Sequence, residues 1–180
     1  MIKKYFIAAR SIISMLTIKI LYPLRVKIEG LPVSLAVHNI QIAQNGNIQI
    51  GKRINILTSS RLIITGNGKI RIGKGVYFNS NVICCCRNKV EIGDGCRFGP
   101  NICIYDHDHL YSYDGGVVDE YKLGEIVIGK GCWFGANSVI LRNTHIGDGC
   151  VIGAGVVVKG DIPPHSIVTL KGIRQMQPRL

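Results

Sequence analysis

A six-residue repeat constrains this chain more than any other feature. Written in sixes, residues 128–163 read IGKGCW, FGANSV, ILRNTH, IGDGCV, IGAGVV and VKGDIP. Each six opens on an aliphatic or aromatic residue, glycine often follows, and the fifth place holds a small or aliphatic residue. The same grid fits IGDGCR, FGPNIC and IYDHDH at 92–109, and IGKGVY and FNSNVI at 72–83. Looser copies occur at Ile48-Gln49-Ile50-Gly51 and Ile70-Arg71-Ile72-Gly73. The pattern has neither the period of a helix nor that of a simple alternating strand. One inward apolar residue per six suits a triangular coil, in which each six is a short strand and a turn and three sixes close a circuit. Gly and Asn supply the turn angles. Stacked circuits with parallel strands shield one another's interior, so an all-β coil is expected over 29–165.

Composition agrees. Glycine is 22 of 180 residues and 47% of the chain is hydrophobic, enough apolar area to exclude a disordered polymer. Seven cysteines, an odd number with Cys84, Cys85 and Cys86 consecutive and no CxxC pair, do not read as a secreted disulfide scaffold. Cys96, Cys132 and Cys150 all fall at the inward fifth place, so the cysteines read as reduced core residues of a cytoplasmic protein.

The first 28 residues differ from the rest. Residues 2–22, IKKYFIAARSIISMLTIKILY, read as a helix that Pro23 ends. Lys3, Lys4, Arg10 and Lys19 make it too charged to span a bilayer, and it lacks the small-residue cleavage site of a secretory signal. Two readings stand: a basic amphipathic helix making peripheral contact with the inner face of a membrane, or a helix capping one end of the coil. Residues 166–180 read as a C-terminal tail.

On these repeats the chain resembles the hexapeptide-repeat acyltransferases, over roughly residues 45–165. Within them it is most similar to the sugar O-acetyltransferases that act on galactosides, maltose and surface polysaccharides. The resemblance implies a left-handed parallel β-helix, a homotrimer, and acetyl-CoA as acyl donor to a sugar hydroxyl. It also supplies candidate residues. His109 closes the IYDHDH six, directly before a non-repeating loop at about 110–125, where similar enzymes carry their catalytic histidine. A sugar hydroxyl needs a base to become nucleophilic, and histidine titrates near working pH. His107, on the same side of an extended strand, is the rival base or an acceptor-binding neighbour. Glu120 matches a glutamate near the base. Asn79 matches an acceptor-contacting asparagine, and Tyr77, Tyr111, Tyr113 and Tyr121 offer aromatic surface to the acceptor sugar. Trp133, Gly135, Ala136, Ala154 and Lys159 match the coenzyme A groove between subunits, with the Ala136 N–H as candidate oxyanion donor.

The same residues admit other chemistry. The Asp106-His107-Asp108-His109 run looks like metal ligands, and the gamma carbonic anhydrases use this scaffold with three histidines. His38, His145 and His165 give no third ligand at matching spacing, so no metal is expected. A non-enzymatic β-helix binding membrane or anionic polymer is the other alternative. The net charge of +11 would serve coenzyme A, lipid or nucleic acid equally, and no nucleic-acid motif accompanies it.

Overall fold

A computed structural model describes residues 2–43, 45–57 and 59–176; the last four residues of the expected tail lie outside them. The chain is a left-handed parallel β-helix of triangular section, with one helix, α1 (Ile2–Leu21), across its N-terminal end. The first face is a ladder of isoleucines. Ile28, Ile50, Ile72, Ile92, Ile128, Ile146 and Ile162 pair in register, each the inward residue of its coil. The second face stacks Ile56, Phe78, Phe98, Phe134, Ile152 and Val168. Its phenylalanine rings lie nearly parallel, with centroids 4.8 and 4.5 Å apart. The third face stacks Ile40, Leu62, Cys84, Ile104, Ile140 and Val158. First and fifth places of the sixes both point inward, and Cys96, Cys132 and Cys150 are buried there. All seven cysteines are free.

The repeated IGxG has two separate causes. A Cβ on Gly93 would stand 2.6 Å from the Gly129 carbonyl carbon of the next coil, so stacking admits only hydrogen there. Gly95, two residues on, has φ +70, a left-handed turn that other residues resist. The corner between second and third faces uses asparagine instead. Asn81, Asn101 and Asn137 all take positive φ, and each amide donates to the next at 2.9 and 3.1 Å.

Intervals along the isoleucine ladder are 22, 22, 20, 36, 18 and 16 residues. The early coils are long because the corner between third and first faces holds wide turns, as at Gly66-Asn67-Gly68. Coiling therefore begins at Val26, ahead of the first legible repeat. The 36-residue interval is one coil plus an excursion from that same corner. The excursion is a β-hairpin, His107–Ser112 paired antiparallel with Gly116–Leu123. After Ser166–Thr169 joins the second face, Gly172–Gln175 folds back on it antiparallel and finishes the stack.

Candidate active site

The hairpin leaves the stack at Asp106, and that residue explains how it is held. Asp106 is 0% exposed. Its carboxylate accepts from the backbone N–H groups of Arg87 (2.9 Å), Asn88 (2.8 Å) and Lys89 (2.8 Å) in the coil below, and from the Cys86 thiol (3.1 Å). His107 Nδ1 lies 2.8 Å from the same carboxylate. Burial pushes the Asp106 carboxyl up, but the hydrogen bonds from His107 and from the Arg87 and Asn88 amides outweigh it and hold the group below its usual value. Asp106 in turn, with a smaller contribution from Cys85, raises His107 to about 9. The opposite directions of the two partners describe one ion pair. The base of the hairpin closes with Gly124 N–H donating to Asp106 O (2.8 Å) and the Asn88 amide to Gly124 O (2.7 Å).

Beyond this anchor the strand presents an aromatic cluster. His109, opposite Tyr121 in the hairpin register, has its ring centroid 4.6 Å from that of Tyr121. His107 meets the same ring edge-on at 5.6 Å, so both imidazoles lie on one side of the strand. The Arg87 guanidinium sits over Tyr121, 3.4 Å from the ring centroid, a close cation–π contact. Arg87, Asn88, Tyr121 and Leu123 line a cavity of ≈ 330 Å³ with Gly66 and Asn67. Asp108, between the two histidines, turns the other way and pairs with the Arg142 guanidinium. The cluster thus offers an exposed imidazole, His109, beside a locked and charged one.

The other candidates fall elsewhere. His109 is the third residue of the hairpin rather than the last of a coil, because the stack ends at Asp106. Glu120 adjoins Tyr121 on an extended strand, so its carboxylate points away from the face carrying His109, and it makes no hydrogen bond or ion pair among the described residues. Trp133 is 54% exposed on the second face, outward between Arg97 and Val151. Gly135, Ala136 and Ala154 follow at the corner between second and third faces. Among the described residues the Ala136 N–H donates to no acceptor, whereas its carbonyl accepts from Gly155. Tyr77 and Asn79 lie on the same edge two coils earlier, Asn79 Oδ1 accepting from the Ser80 N–H (2.8 Å). Lys159 is exposed on the third side. Ala154 also lines a cavity of ≈ 660 Å³ at the C-terminal end, together with Lys171 and Arg174 of the terminal hairpin.

Within one chain, then, the histidines stand at one edge of the prism and the Trp133–Ala136–Asn79 groups at another, with the third face between them. His145, considered as a metal ligand, engages Asp161 (2.9 Å) and Glu125 (3.1 Å) on the first face, and these carboxylates raise its pKa. Among the described residues no three His, Cys, Asp or Glu side chains converge as a metal site. Arg87 and Arg142 carry no signal in the sequence, and Asp106 stands out there only as part of the Asp-His-Asp-His run. A buried carboxylate directly before a histidine was visible as Asp-His, but the cation of Arg87 comes from a different coil and carries no local signal.

Fold, repeat and corner geometry define a hexapeptide-repeat β-helix protein. Residues 125–160 match the family model described as bacterial transferase hexapeptide, six repeats. The chain is 34% identical over 113 residues to galactoside O-acetyltransferase of Escherichia coli K12, covering 61% of this chain and 56% of that protein. A Staphylococcus aureus (strain COL) protein whose acetyltransferase name is itself provisional is 40% identical over 98 residues, 54% of this chain and 49% of the other. The chain therefore spans about half the length of the curated relatives it matches. Among solved structures, a hexapeptide-repeat acetyltransferase from Vibrio cholerae complexed with acetyl coenzyme A is similar at TM-score 0.54 and 32% identity, over 60% of this chain and 59% of that one. A variant of AntD, an N-acyltransferase from Bacillus cereus, matches in fold over 93% of this chain and 90% of its own, at TM-score 0.69 and 21% identity.

Proposed function

We propose that the protein is an acetyl-CoA-dependent O-acetyltransferase acting on a sugar hydroxyl, in the making of a surface polysaccharide. The observation that carries this is the hairpin at Asp106, which presents His109 exposed against Tyr121 while His107 is tied to a buried carboxylate. An imidazole held at about 9 is already protonated at neutral pH and accepts no further proton, so the base role falls to His109. His109 takes the proton of the acceptor hydroxyl as its oxygen attacks the thioester carbonyl carbon. The carbon–sulfur bond then breaks, and the proton passes from the imidazolium to the departing thiolate. The Ala136 N–H, which donates to no acceptor among the described residues, would donate to the oxyanion of the tetrahedral intermediate. His107, Arg87 and Tyr121 position the base, and Asn79 and Tyr77 belong to the acceptor side.

Because His109 and Ala136 occupy different edges of one prism, the reading requires a second copy whose Trp133–Ala136 edge faces the hairpin of the first. A homotrimer closes three such contacts by symmetry. Coenzyme A would run along the shared groove past Trp133 and Ala154, its phosphates near Lys159, Lys171 and Arg174. An acetyl-CoA donor and seven free thiols support a cytoplasmic site of action. The support from relatives is the acetyl coenzyme A complex of the Vibrio cholerae protein and the galactoside acetyltransferase of Escherichia coli.

The test is release of coenzyme A from acetyl-CoA in the presence of nucleotide sugars and lipid-linked oligosaccharides. Turnover with at least one acceptor is expected, unaffected by a strong chelator. His109→Ala should lower the rate about 10²–10⁴-fold with coenzyme A affinity retained. A chelator-sensitive rate, or an unimpaired His109→Ala, contradicts the reading.

A further inference from the structure

Helix α1 is apolar on two sides, and the stack uses only one of them. Ser11, Ser14, Met15 and Ile18 form its buried stripe at the i, i+3, i+4, i+7 spacing of one helix face. That stripe closes the open end of the first coil. Ser11 Oγ fixes the contact, accepting from the Leu35 N–H at 3.1 Å and donating to Ile7 O at 2.8 Å. The capping-helix expectation is therefore met by half the helix. The opposite half carries Phe6, Ile13 and Ile20 at exact seven-residue steps, with Leu16 beside them. These four are 70%, 65%, 77% and 53% exposed. Leu24, directly after the helix, is fully exposed as well. Folding of the coil does not explain these residues, since their side chains point away from it.

Charge identifies what covers this face. Residues 1–28 hold Lys3, Lys4, Arg10, Lys19, Arg25 and Lys27 and no acidic residue, so more than half of the net +11 sits on this one end. Arg10 and Lys19 are exposed on opposite flanks of the apolar stripe. A second copy laid on this face would set the Arg10 and Lys19 flanks of one helix against those of the other, and the nearest carboxylate, Glu29, is already paired with Lys27 (3.9 Å). An anionic lipid surface meets both requirements, because headgroup phosphates take the flanking cations while acyl chains take Phe6, Ile13, Leu16 and Ile20. No described helix is long and apolar enough to cross a membrane, so the helix would lie in the interface plane.

We propose that the outward face of α1 docks the protein on an anionic bilayer, with the coil stack standing off the surface. This does not rest on the acetyltransferase reading. The experiment is flotation of the full chain with phosphatidylglycerol vesicles against phosphatidylcholine vesicles, repeated in high salt. Binding is expected to the anionic vesicles and to weaken with salt. The double variant Ile13→Gln/Ile20→Gln should lose about tenfold or more of that affinity while unfolding at the wild-type temperature. Lys19→Glu provides an independent check, expected to weaken binding severalfold with the fold intact. Failure of the wild type to float with anionic vesicles would overturn the proposal. So would equal binding by both variants, or, without lipid, a self-association that Ile13→Gln/Ile20→Gln abolishes.

Discussion

Two histidines on one strand show how position divides chemistry between identical side chains. His107 spends its Nδ1 on Asp106, a carboxylate that four donors keep ionised in the interior. The pair gains stability from the charged imidazole, and its pH dependence follows. The folded value of His107, about 9, lies above the ~6.5 of an unfolded histidine. Its contribution is therefore complete below about pH 6.5 and disappears as pH rises through about 9. Asp106, lowered on folding, contributes at pH values above its unfolded ~3.9 and loses that contribution on acidification. Thermal unfolding of the wild type should thus fall between pH 7 and pH 9.5 more steeply than that of His107→Gln. Nuclear magnetic resonance should place the His107 midpoint near 9; parallel unfolding curves and a midpoint near 6.5 would contradict the pairing. His109, by contrast, is exposed beside the Tyr121 ring.

At the scale of the strand, alternation decides what each residue is for. In Trp133–Phe134, a strand of two residues, Phe134 is 0% exposed between Phe98 and Ile152 while Trp133 faces out. Phe134→Ala should cost about 3–5 kcal/mol of stability through lost burial and an unfilled cavity. Trp133→Ala should stay within about 0.5 kcal/mol, and denaturant titration of the two variants separates them. Similar losses would mean that the register is wrong. The same alternation made the later coils legible in the sequence, since 92–105 and 128–157 keep strict sixes with inward residues at places one and five. The earlier coils were only faintly visible, because Asn45-Gly46 and Gly66-Asn67-Gly68 insert extra corner residues and break the 18-residue phase. The hairpin was legible only as an interruption. Its strands are exposed on both sides, so no buried face wrote a period into residues 107–123. His109, Trp133 and Ala136 were found through family likeness, whereas the clamp of Arg87 on Tyr121 joins coils that sequence spacing does not connect.

At the scale of the whole molecule, the triangular section imposes the main functional consequence. A prism carries its hairpin on one edge and its Trp133–Ala136 groove on another, and a straight stack cannot bend the two together. On the proposed reading, association brings the two edges into one site, so that each chain would serve as donor groove to one neighbour and as base to the other. The most direct measurement is complementation between two inactive variants, His109→Ala and Ala136→Trp, each expected to assemble and to be dead alone. Co-assembled from equal amounts, they should recover roughly a quarter of wild-type activity, the chance that one interface receives both intact halves. A mixture no more active than the sum of its parents would contradict the shared site and place the chemistry within a single chain.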